Sequence, residues 1–363
     1  MIEQLTRAYE AAPEGIENLD QLQQHLQIAI ELEHATIPPY LCALYSIKDG
    51  HNEEAARIIR SVVMEEMLHV ALAANVLKAI GGTVRLTGED FLPRYPAALP
   101  HSATKFQVSL EKFSRTALRT FLKIEQPAPK GAPPQAHGYR TIAQFYAAIE
   151  DGLKKVCAGN RNFDPKRHQV WPRQYYGATG SIIRVTNLDE ALRALEEIVN
   201  QGEGRHDSLF TTRRRTRLGR SGRELAHYFR FNEIYKCRLY TEKDTVESGP
   251  TGARLPVDWK AVYGMEPNPK AGHFRQGSEA RRKMDEFNQT YMALLRRLEH
   301  SFNEAPQDIL ECVGGMYDLK YKAVELMNIP YAQVRDSTTS GAPRTGMLGP
   351  SFEYIARAAA NAA

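Results

Sequence analysis

Cysteine is scarce in this sequence, and its spacing excludes several kinds of site. The chain of 363 residues has four cysteines, which lie at least 75 residues apart and form no CxxC pair. That spacing excludes a zinc ribbon, a cysteine-bound iron–sulfur cluster and a thioredoxin motif. Because disulfides belong to oxidising compartments, this pattern also predicts a cytoplasmic protein.

Long apolar runs and the common catalytic motifs are missing as well. No stretch approaches 18 uninterrupted apolar residues, so we expect no membrane partner. GxGxxG, GxxxxGKS/T, GxSxG and HExxH do not occur, which removes the usual cues for dinucleotide, phosphate-loop, serine-hydrolase and zincin sites. The net charge of +4 is too small to indicate a nucleic-acid partner. Any catalytic chemistry must therefore be carried by other residues.

Apolar residues at helical spacing predict two long helices in the first part of the chain. They cover 22–48 and 53–80, and an Asp-Gly dipeptide between them is typical of a turn. Asn52 is the predicted N-cap of the second helix. Pro38 and Pro39 remove backbone hydrogen bonds, so the first helix should be kinked there, which would open the bundle beside it.

Further helices follow after a long crossover at 83–187. Two longer helices, 187–204 and 224–240, flank an arginine-rich loop at 205–223. Four more helices are predicted in the crossover and in the last part of the chain, over 110–124, 141–156, 278–302 and 306–327.

Two helical hairpins joined by a long crossover have the connectivity of a ferritin-like four-helix bundle. The predicted fold is therefore all-α, with a ferritin-like four-helix bundle over 1–242 that includes the long helical crossover. A C-terminal helical extension over 243–363 is expected to pack on this bundle.

Four Glu-x-x-His tetrads occur, one on each long helix of the predicted bundle or at its end. They begin at Glu31, Glu66, Glu203 and Glu224. Residues three apart on a helix share a face, so the Glu and His of one tetrad can bind the same metal ion. A single tetrad is more often a solvated surface pair, but four at these places favour a metal site.

The ferritin-like plan takes one Glu from each of two helices and a Glu-x-x-His from each of the other two. The predicted ligands are accordingly Glu33, Glu66, His69, Glu203, Glu224 and His227. Glu33 and Glu66 are equidistant from the first predicted turn, and Glu203 and Glu224 from the middle of the arginine-rich loop. Each pair therefore lies at one level of its hairpin. Carboxylate and imidazole ligands suit two iron ions, with manganese as the alternative.

Two positions leave alternatives or additions to this ligand set. The glycines on both sides of Glu203 weaken a helix, so Glu196 or Glu197 is an alternative ligand. Tyr40 lies seven residues after Glu33 on the same helical face and is a candidate catalytic residue.

Several segments resemble known ferritin-like proteins. LEHATIPPYL at 32–41 and MEEMLH at 64–69 are similar to helices A and B of ferritins, where Glu, Glu-x-x-His and a nearby Tyr build the ferroxidase centre. More specifically, the ferritin-like domain of iminophenyl-pyruvate dimer synthases resembles this chain at 30–44, 141–149 (TIAQFYAAI), 201–204, 227–234 (HYFRFNEI) and 349–354. Those enzymes couple two indole-pyruvate imines in violacein-type and related pathways.

The resemblance implies a non-haem di-iron oxidoreductase of specialised metabolism. Its substrate would be a small aromatic or amino-acid-derived molecule that carries a carboxylate, and its oxidant would be dioxygen or peroxide. The arginines of 205–223 are either a carboxylate-binding group or a solvated connector.

Two other functions use the same bundle. One is iron binding or storage without substrate chemistry, although the crossover is bulky for a storage-ferritin subunit. The other is a di-iron tRNA hydroxylase, although no RNA-binding fingerprint accompanies the arginines. A small-molecule substrate is thus favoured over nucleic acid, and assembly into a homo-oligomer is left open.

Overall fold

Two long antiparallel helices form the centre of the fold in a computed structural model. The structure describes residues 15–170, 180–202, 209, 214–215, 221–222, 225–334 and 345–356. Helix α1 spans Leu19–Ser46 and α2 spans Glu53–Ala79, close to the bounds expected from apolar spacing. The side chain of Asn18 caps α1 by accepting a hydrogen bond from the backbone N–H of Gln21 (2.9 Å).

Asn52 occupies the N-cap position of α2, but its side chain does not cap the helix. The backbone of Asn52 is left-handed, and its amide side chain bonds the backbone carbonyl oxygen of Asp258 at 2.9 Å and the N–H of the same residue at 2.7 Å. The predicted cap residue therefore fastens the turn between α1 and α2 to a later segment of the chain.

Helix α1 continues through Pro38 and Pro39. These residues lack the N–H groups that would bond the carbonyl oxygens of His34 and Ala35 one turn earlier. The Tyr95 hydroxyl donates to the Ala35 carbonyl oxygen at 2.7 Å, so a crossover side chain replaces one of the lost hydrogen bonds. The prolines interrupt the hydrogen-bond ladder without ending the helix.

Four shorter helices flank the central pair: α3 (Arg115–Ile124), α4 (Ile142–Val156), α5 (Leu188–Gln201) and α6 (His227–Lys236). Ser114, Thr141 and Asn187 cap the first three of them through their side chains. Helix α5 packs against α4 and α2, whereas α6 packs against α3 and α2. In the part of the chain that the structure describes, the third and fourth long helices of the predicted bundle each pack on a crossover helix as well as on α2. Both helices are shorter than expected, which leaves room for that pairing.

The C-terminal elements pack on the other side of the central pair. They are α7 (Glu279–Asn303), a 3₁₀ turn (Pro306–Glu311), α8 (Cys312–Leu326) and α9 (Tyr331–Val334). Helix α7 contacts α2 and α8 contacts α1. Smaller elements are the 3₁₀ turns Ala158–Asn160 and Ala271–His273 and the antiparallel pair β1 (Arg214–Arg215) and β2 (Ser221–Gly222). The all-α prediction is confirmed, and none of the described helices has the length and apolar character to cross a membrane.

Buried Asn75 of α2 forms hydrogen bonds with the irregular end of the crossover. Its amide N–H groups donate to the carbonyl oxygens of Val170 (3.1 Å) and Ile183 (2.9 Å), and its oxygen accepts from the N–H of Val170 (3.1 Å). These bonds satisfy backbone groups that would otherwise be buried without partners.

Candidate metal centre

Five buried side chains form two triads that share one carboxylate. Glu33, Glu66 and His69 make the first triad, and Glu66, Glu125 and His227 make the second. Within each triad, one nitrogen or carboxylate oxygen from every residue lies within 4.8 Å of the others. The residues come from α1, α2, the end of α3 and the start of α6, and none is more than 4% exposed. Glu66 therefore lies between two adjacent positions for a metal ion.

The first triad joins α1 to α2. The Nδ1 atom of His69 lies 3.2 Å from Oε2 of Glu33 and 4.0 Å from Oε2 of Glu66. Tyr146 of α4 donates its hydroxyl to the other oxygen of Glu33 at 2.6 Å. The hydroxyl of Thr36 donates to Oε2 of Glu66 at 2.9 Å. These hydroxyl donors hold both carboxylates towards the His69 ring.

The second triad brings α3 and α6 to the same carboxylate. The Nδ1 atom of His227 lies 2.8 Å from Oε1 of Glu66 and 3.7 Å from Oε2 of Glu125. Tyr40 donates its hydroxyl to the remaining oxygen of Glu125 at 2.5 Å. The rings of His69 and His227 are nearly parallel, with centroids 5.4 Å apart. The two triads are thus side by side.

Each histidine is held through the nitrogen that faces away from the carboxylates of the triads. Nε2 of His69 lies 3.0 Å from Oε1 of Gln201, and Nε2 of His227 lies 2.8 Å from Oε2 of Glu65. Arg230 donates to the same Glu65 oxygen at 2.7 Å. If each Nε2 carries the proton for these bonds, each Nδ1 has its lone pair free for a metal ion.

Burial and mutual repulsion change how the carboxyl groups ionise. Burial, with the neighbouring charge of Glu125 as the next cause, raises the pKa of Glu66 to about 7. Burial also acts to raise the pKa of Glu33, but the hydrogen bond and charge of His69 outweigh it and leave this pKa below its ordinary value. Without a metal ion, the proton that Glu66 retains reduces the negative charge of the cluster.

The neighbouring carboxylates also change the pKa values of the two histidines. Burial acts to lower the pKa of His227, yet the carboxylates of Glu125, Glu65 and Glu66 raise it well above its ordinary value. The pKa of His69 is raised for the same reason, by Glu33 against the effect of burial. The buried acids therefore need positive charge beside them, from protons or from metal ions.

The surroundings of one buried atom are compatible with a metal ion at this place. Nδ1 of His227 is fully buried and has no hydrogen-bond partner, because the Glu66 oxygen 2.8 Å away is not aligned with it for a hydrogen bond. A buried nitrogen that lacks a hydrogen-bond partner costs free energy, and here two carboxylates lie beside it. A cation between these groups would satisfy all three, and oxygen and imidazole donors suit iron or manganese.

Four of the six ligands expected from the sequence lie in this cluster: Glu33, Glu66, His69 and His227. Glu203 and Glu224 lie outside the described residues, so their role stays a prediction. Most of the arginine-rich segment lies outside them as well.

The alternatives on α5 do not reach the triads directly. Glu196 is exposed, and Glu197 accepts a hydrogen bond from Gln201 at 2.7 Å, one residue removed from His69. The choice between either of them and Glu203 stays open. Tyr40, the candidate catalytic residue, contacts the cluster through Glu125.

Glu125 was not among the predicted ligands, because it lies outside the four helices assigned to the bundle. A signal was present. Glu125 follows Leu118 and Phe121 at helical spacing and so continues the buried stripe of α3. A carboxylate at such a position is expensive to bury unless it has a partner.

A family model described as Ferritin-like matches residues 26–236, which is more than half of the chain and contains both triads. The chain belongs to the ferritin-like family. A ferritin-like protein from Caulobacter vibrioides, known from its crystal structure, superposes with a TM-score of 0.61 at 23% identity. The superposition covers 85% of this chain and 96% of that one, and it supports the ferritin-like fold alone.

Two curated relatives carry the names of biosynthetic enzymes. Dichlorochromopyrrolate synthase of Lentzea aerocolonigenes is 24% identical over 327 residues, which cover 80% of this chain and 29% of that protein. 2-Imino-3-(indol-3-yl)propanoate dimerase of Chromobacterium violaceum is 27% identical over 230 residues, which cover 53% of this chain and 22% of that protein. The ferritin-like chain thus spans less than a third of the length of either relative.

Proposed function

We propose that this chain is a non-haem di-iron-type oxidoreductase that acts on a small aromatic or amino-acid-derived substrate in specialised metabolism. The observation that carries the proposal is the pair of buried triads that share Glu66. A solvated structural helix bundle has no need to bury carboxylates and imidazoles together, because each buried ionisable group costs free energy unless it is paired.

In this proposal, Glu33 with His69 would hold one metal ion, Glu125 with His227 would hold the other, and Glu66 would serve both. Glu203 and Glu224, which the sequence predicts, would complete the ligand set. When bound, two iron ions, or manganese as the alternative, supply the one-electron redox changes for which dioxygen or peroxide is the oxidant.

The surrounding residues orient these ligands. Glu65 and Gln201 fix the two imidazoles through Nε2, and Tyr40 occupies one oxygen of Glu125 while the other oxygen faces His227. Burial and the charge of Glu125 raise the pKa of Tyr40 well above its ordinary value, so its hydroxyl stays protonated at neutral pH and remains a donor. We assign Tyr40 this positioning role, and it remains the candidate catalytic residue of the centre.

The names of the two relatives support the proposed substrate class. The name of one describes a synthase and the name of the other a dimerase of an indolyl imino acid. We infer for this chain a carboxylate-bearing aromatic substrate of similar chemistry, with oxidative imine coupling as the reaction to test first. The arginines of 205–223 are the proposed partners of the carboxylate.

One observation favours a second candidate, iron binding without substrate chemistry. Among the described residues, those around the triads enclose a space of about 10 Å³, which is close to the room for one water molecule. Within the described residues, this space is smaller than the opening expected beside Pro38 and Pro39. A site of that size admits an iron ion or dioxygen more readily than an aromatic ring.

Metal analysis after anaerobic iron loading tests the centre itself. We expect about two ions per chain in the parent protein and about one in His69→Ala or Glu125→Ala, because each change removes a ligand from one triad only. The double variant should hold none. Glu150→Ala, which removes a partly buried carboxylate of α4 outside both triads, is the matched control. Full metal content in the double variant would exclude the assigned ligands.

Oxygen consumption then separates the two candidates. A substrate-dependent oxidase consumes oxygen in proportion to an added aromatic imino acid and returns to its starting metal content. An iron-storage protein oxidises added iron(II) beyond two ions per chain, retains it, and ignores the imino acid.

A further inference from the structure

A second cavity lies on the opposite side of the central helices from the metal centre. It has a volume of about 100 Å³ and is enclosed by α1, α2, α7, α8 and the 3₁₀ turn before α8. None of the residues that line it also lines the space at the triads. Glu33 faces the metal centre and its neighbour His34 lines this cavity, so the two sites are separated by α1 and α2.

The wall of the cavity is almost wholly apolar and includes no acidic or basic side chain other than His34. Three methionines, Met64, Met67 and Met316, contribute flexible and polarisable side chains that adapt to a ligand and make favourable contacts with aromatic rings. An engineered apolar cavity of about 150 Å³ binds benzene, and this cavity of about 100 Å³, whose flexible methionine side chains can widen it, suits a single ring. A charged ligand is excluded by the cost of burying its charge.

His34 gives the cavity one specific polar group. The ring is 5% exposed, its Nε2 lies 2.6 Å from the hydroxyl of Tyr291, and its Nδ1 has no hydrogen-bond partner. If Tyr291 donates to Nε2, one donor is left unsatisfied, the N–H at Nδ1. The other tautomer leaves the Tyr291 hydroxyl proton and the Nδ1 lone pair both unsatisfied. The first arrangement costs less, so Nδ1 carries a proton and lacks an acceptor.

The cavity also has a route to solvent. Five of its lining residues, including the methionines Met64, Met67 and Met316, also line an adjacent open groove of about 660 Å³. Since methionine side chains rotate easily, a small ligand can pass between the groove and the cavity without movement of the helices.

We propose that this cavity binds a small uncharged aromatic molecule of one ring that carries a hydrogen-bond acceptor, which receives the Nδ1 proton of His34. The site is independent of the metal centre and of the proposed oxidase activity. It is expected to take its ligand equally in metal-free and iron-loaded protein.

Anisole and ethylbenzene are the probes for this proposal, because they have nearly the same shape and only anisole has an acceptor oxygen. We expect saturable binding of anisole to the parent protein by ligand-observed NMR. In His34→Leu the affinity for anisole, relative to that for ethylbenzene, should fall about tenfold, the effect of losing one hydrogen bond in a buried site. In Leu295→Phe, which fills the cavity, both probes should lose affinity. The control Leu192→Phe, on α5, should bind like the parent.

A second measurement needs no variant. With methyl-labelled methionine, ring protons of bound anisole should give nuclear Overhauser effects to the methyl groups of Met64, Met67 and Met316 among the nine methionines of the chain. Contacts with other methionines instead, or no saturable binding at the solubility limit, would overturn the site. An unchanged affinity ratio in His34→Leu would overturn the role of the acceptor.

Discussion

Replacement of Glu66 by glutamine should stabilise the metal-free protein and destabilise the metal-loaded one. Glu66 is fully buried, and its pKa is about 7 in the fold against an ordinary value of 4.5. Glutamine has nearly the same shape and imitates the protonated carboxyl group, so it can keep the bond from Thr36 without the cost of ionisation.

The direction of the pH dependence follows from the raised pKa. Between pH 4.5 and 7 the folded protein keeps the proton on Glu66 while the unfolded chain releases it, so the free energy of unfolding falls as pH rises. The difference of about 2.5 between the two pKa values corresponds to about 3 kcal/mol, at about 1.4 kcal/mol for each pH unit. Glu66→Gln should therefore match the parent near pH 4.5 and exceed it by about 3 kcal/mol at pH 8.

Urea denaturation in the presence of a chelator, followed by far-ultraviolet circular dichroism at pH 5 and pH 8, measures this difference. Glu242→Gln, which changes an exposed carboxyl group, is the control and should show no pH-dependent difference from the parent. After iron loading the sign should reverse, because the parent gains about 2.7 kcal/mol when free iron is 100 times its dissociation constant and the variant gains less. A variant-minus-parent difference that is the same at pH 5 and pH 8 would refute the reasoning.

Three further changes test the elements that hold the centre in place. Tyr95→Phe should lower the free energy of unfolding by about 1–2 kcal/mol, because the Ala35 carbonyl oxygen loses the donor that replaces the proline-deleted bond; a neutral result in urea titrations would contradict this. Asn75→Ala should cost about 3 kcal/mol or more, since three buried hydrogen bonds to the crossover are lost, and hydrogen exchange should rise at Val170. His34→Gln should reduce the sensitivity to acid. Burial lowers the pKa of His34 to about 3, from its ordinary value of 6.5. As the pH falls between these two values, the free energy of unfolding of the parent should decrease by about 1.4 kcal/mol for each pH unit. An acid transition of equal slope in the variant would exclude this cause.

The features that the sequence predicted correctly depend on residues close together in the chain. The amphipathic spacing of α1 and α2 and the turn between them set the register that brings Glu33 to the level of Glu66, because equal distances from a turn place residues at one level of an antiparallel pair. The Glu-x-x-His spacing of Glu66 and His69 likewise needs only helical geometry.

The tertiary structure alone decided which carboxylate completes the second triad. Glu125 stands 85 residues from Tyr40 and 102 residues from His227 in the sequence, and no local periodicity joins positions so far apart. Its place depends on α3 packing against α6 and α1, which is a consequence of how apolar faces are shared among all the helices. For the same reason the sequence did not predict that the last two bundle helices each pack on a crossover helix. The sequence determined the helices and the chemistry of the ligands, and the packing of distant helices determined which ligands meet.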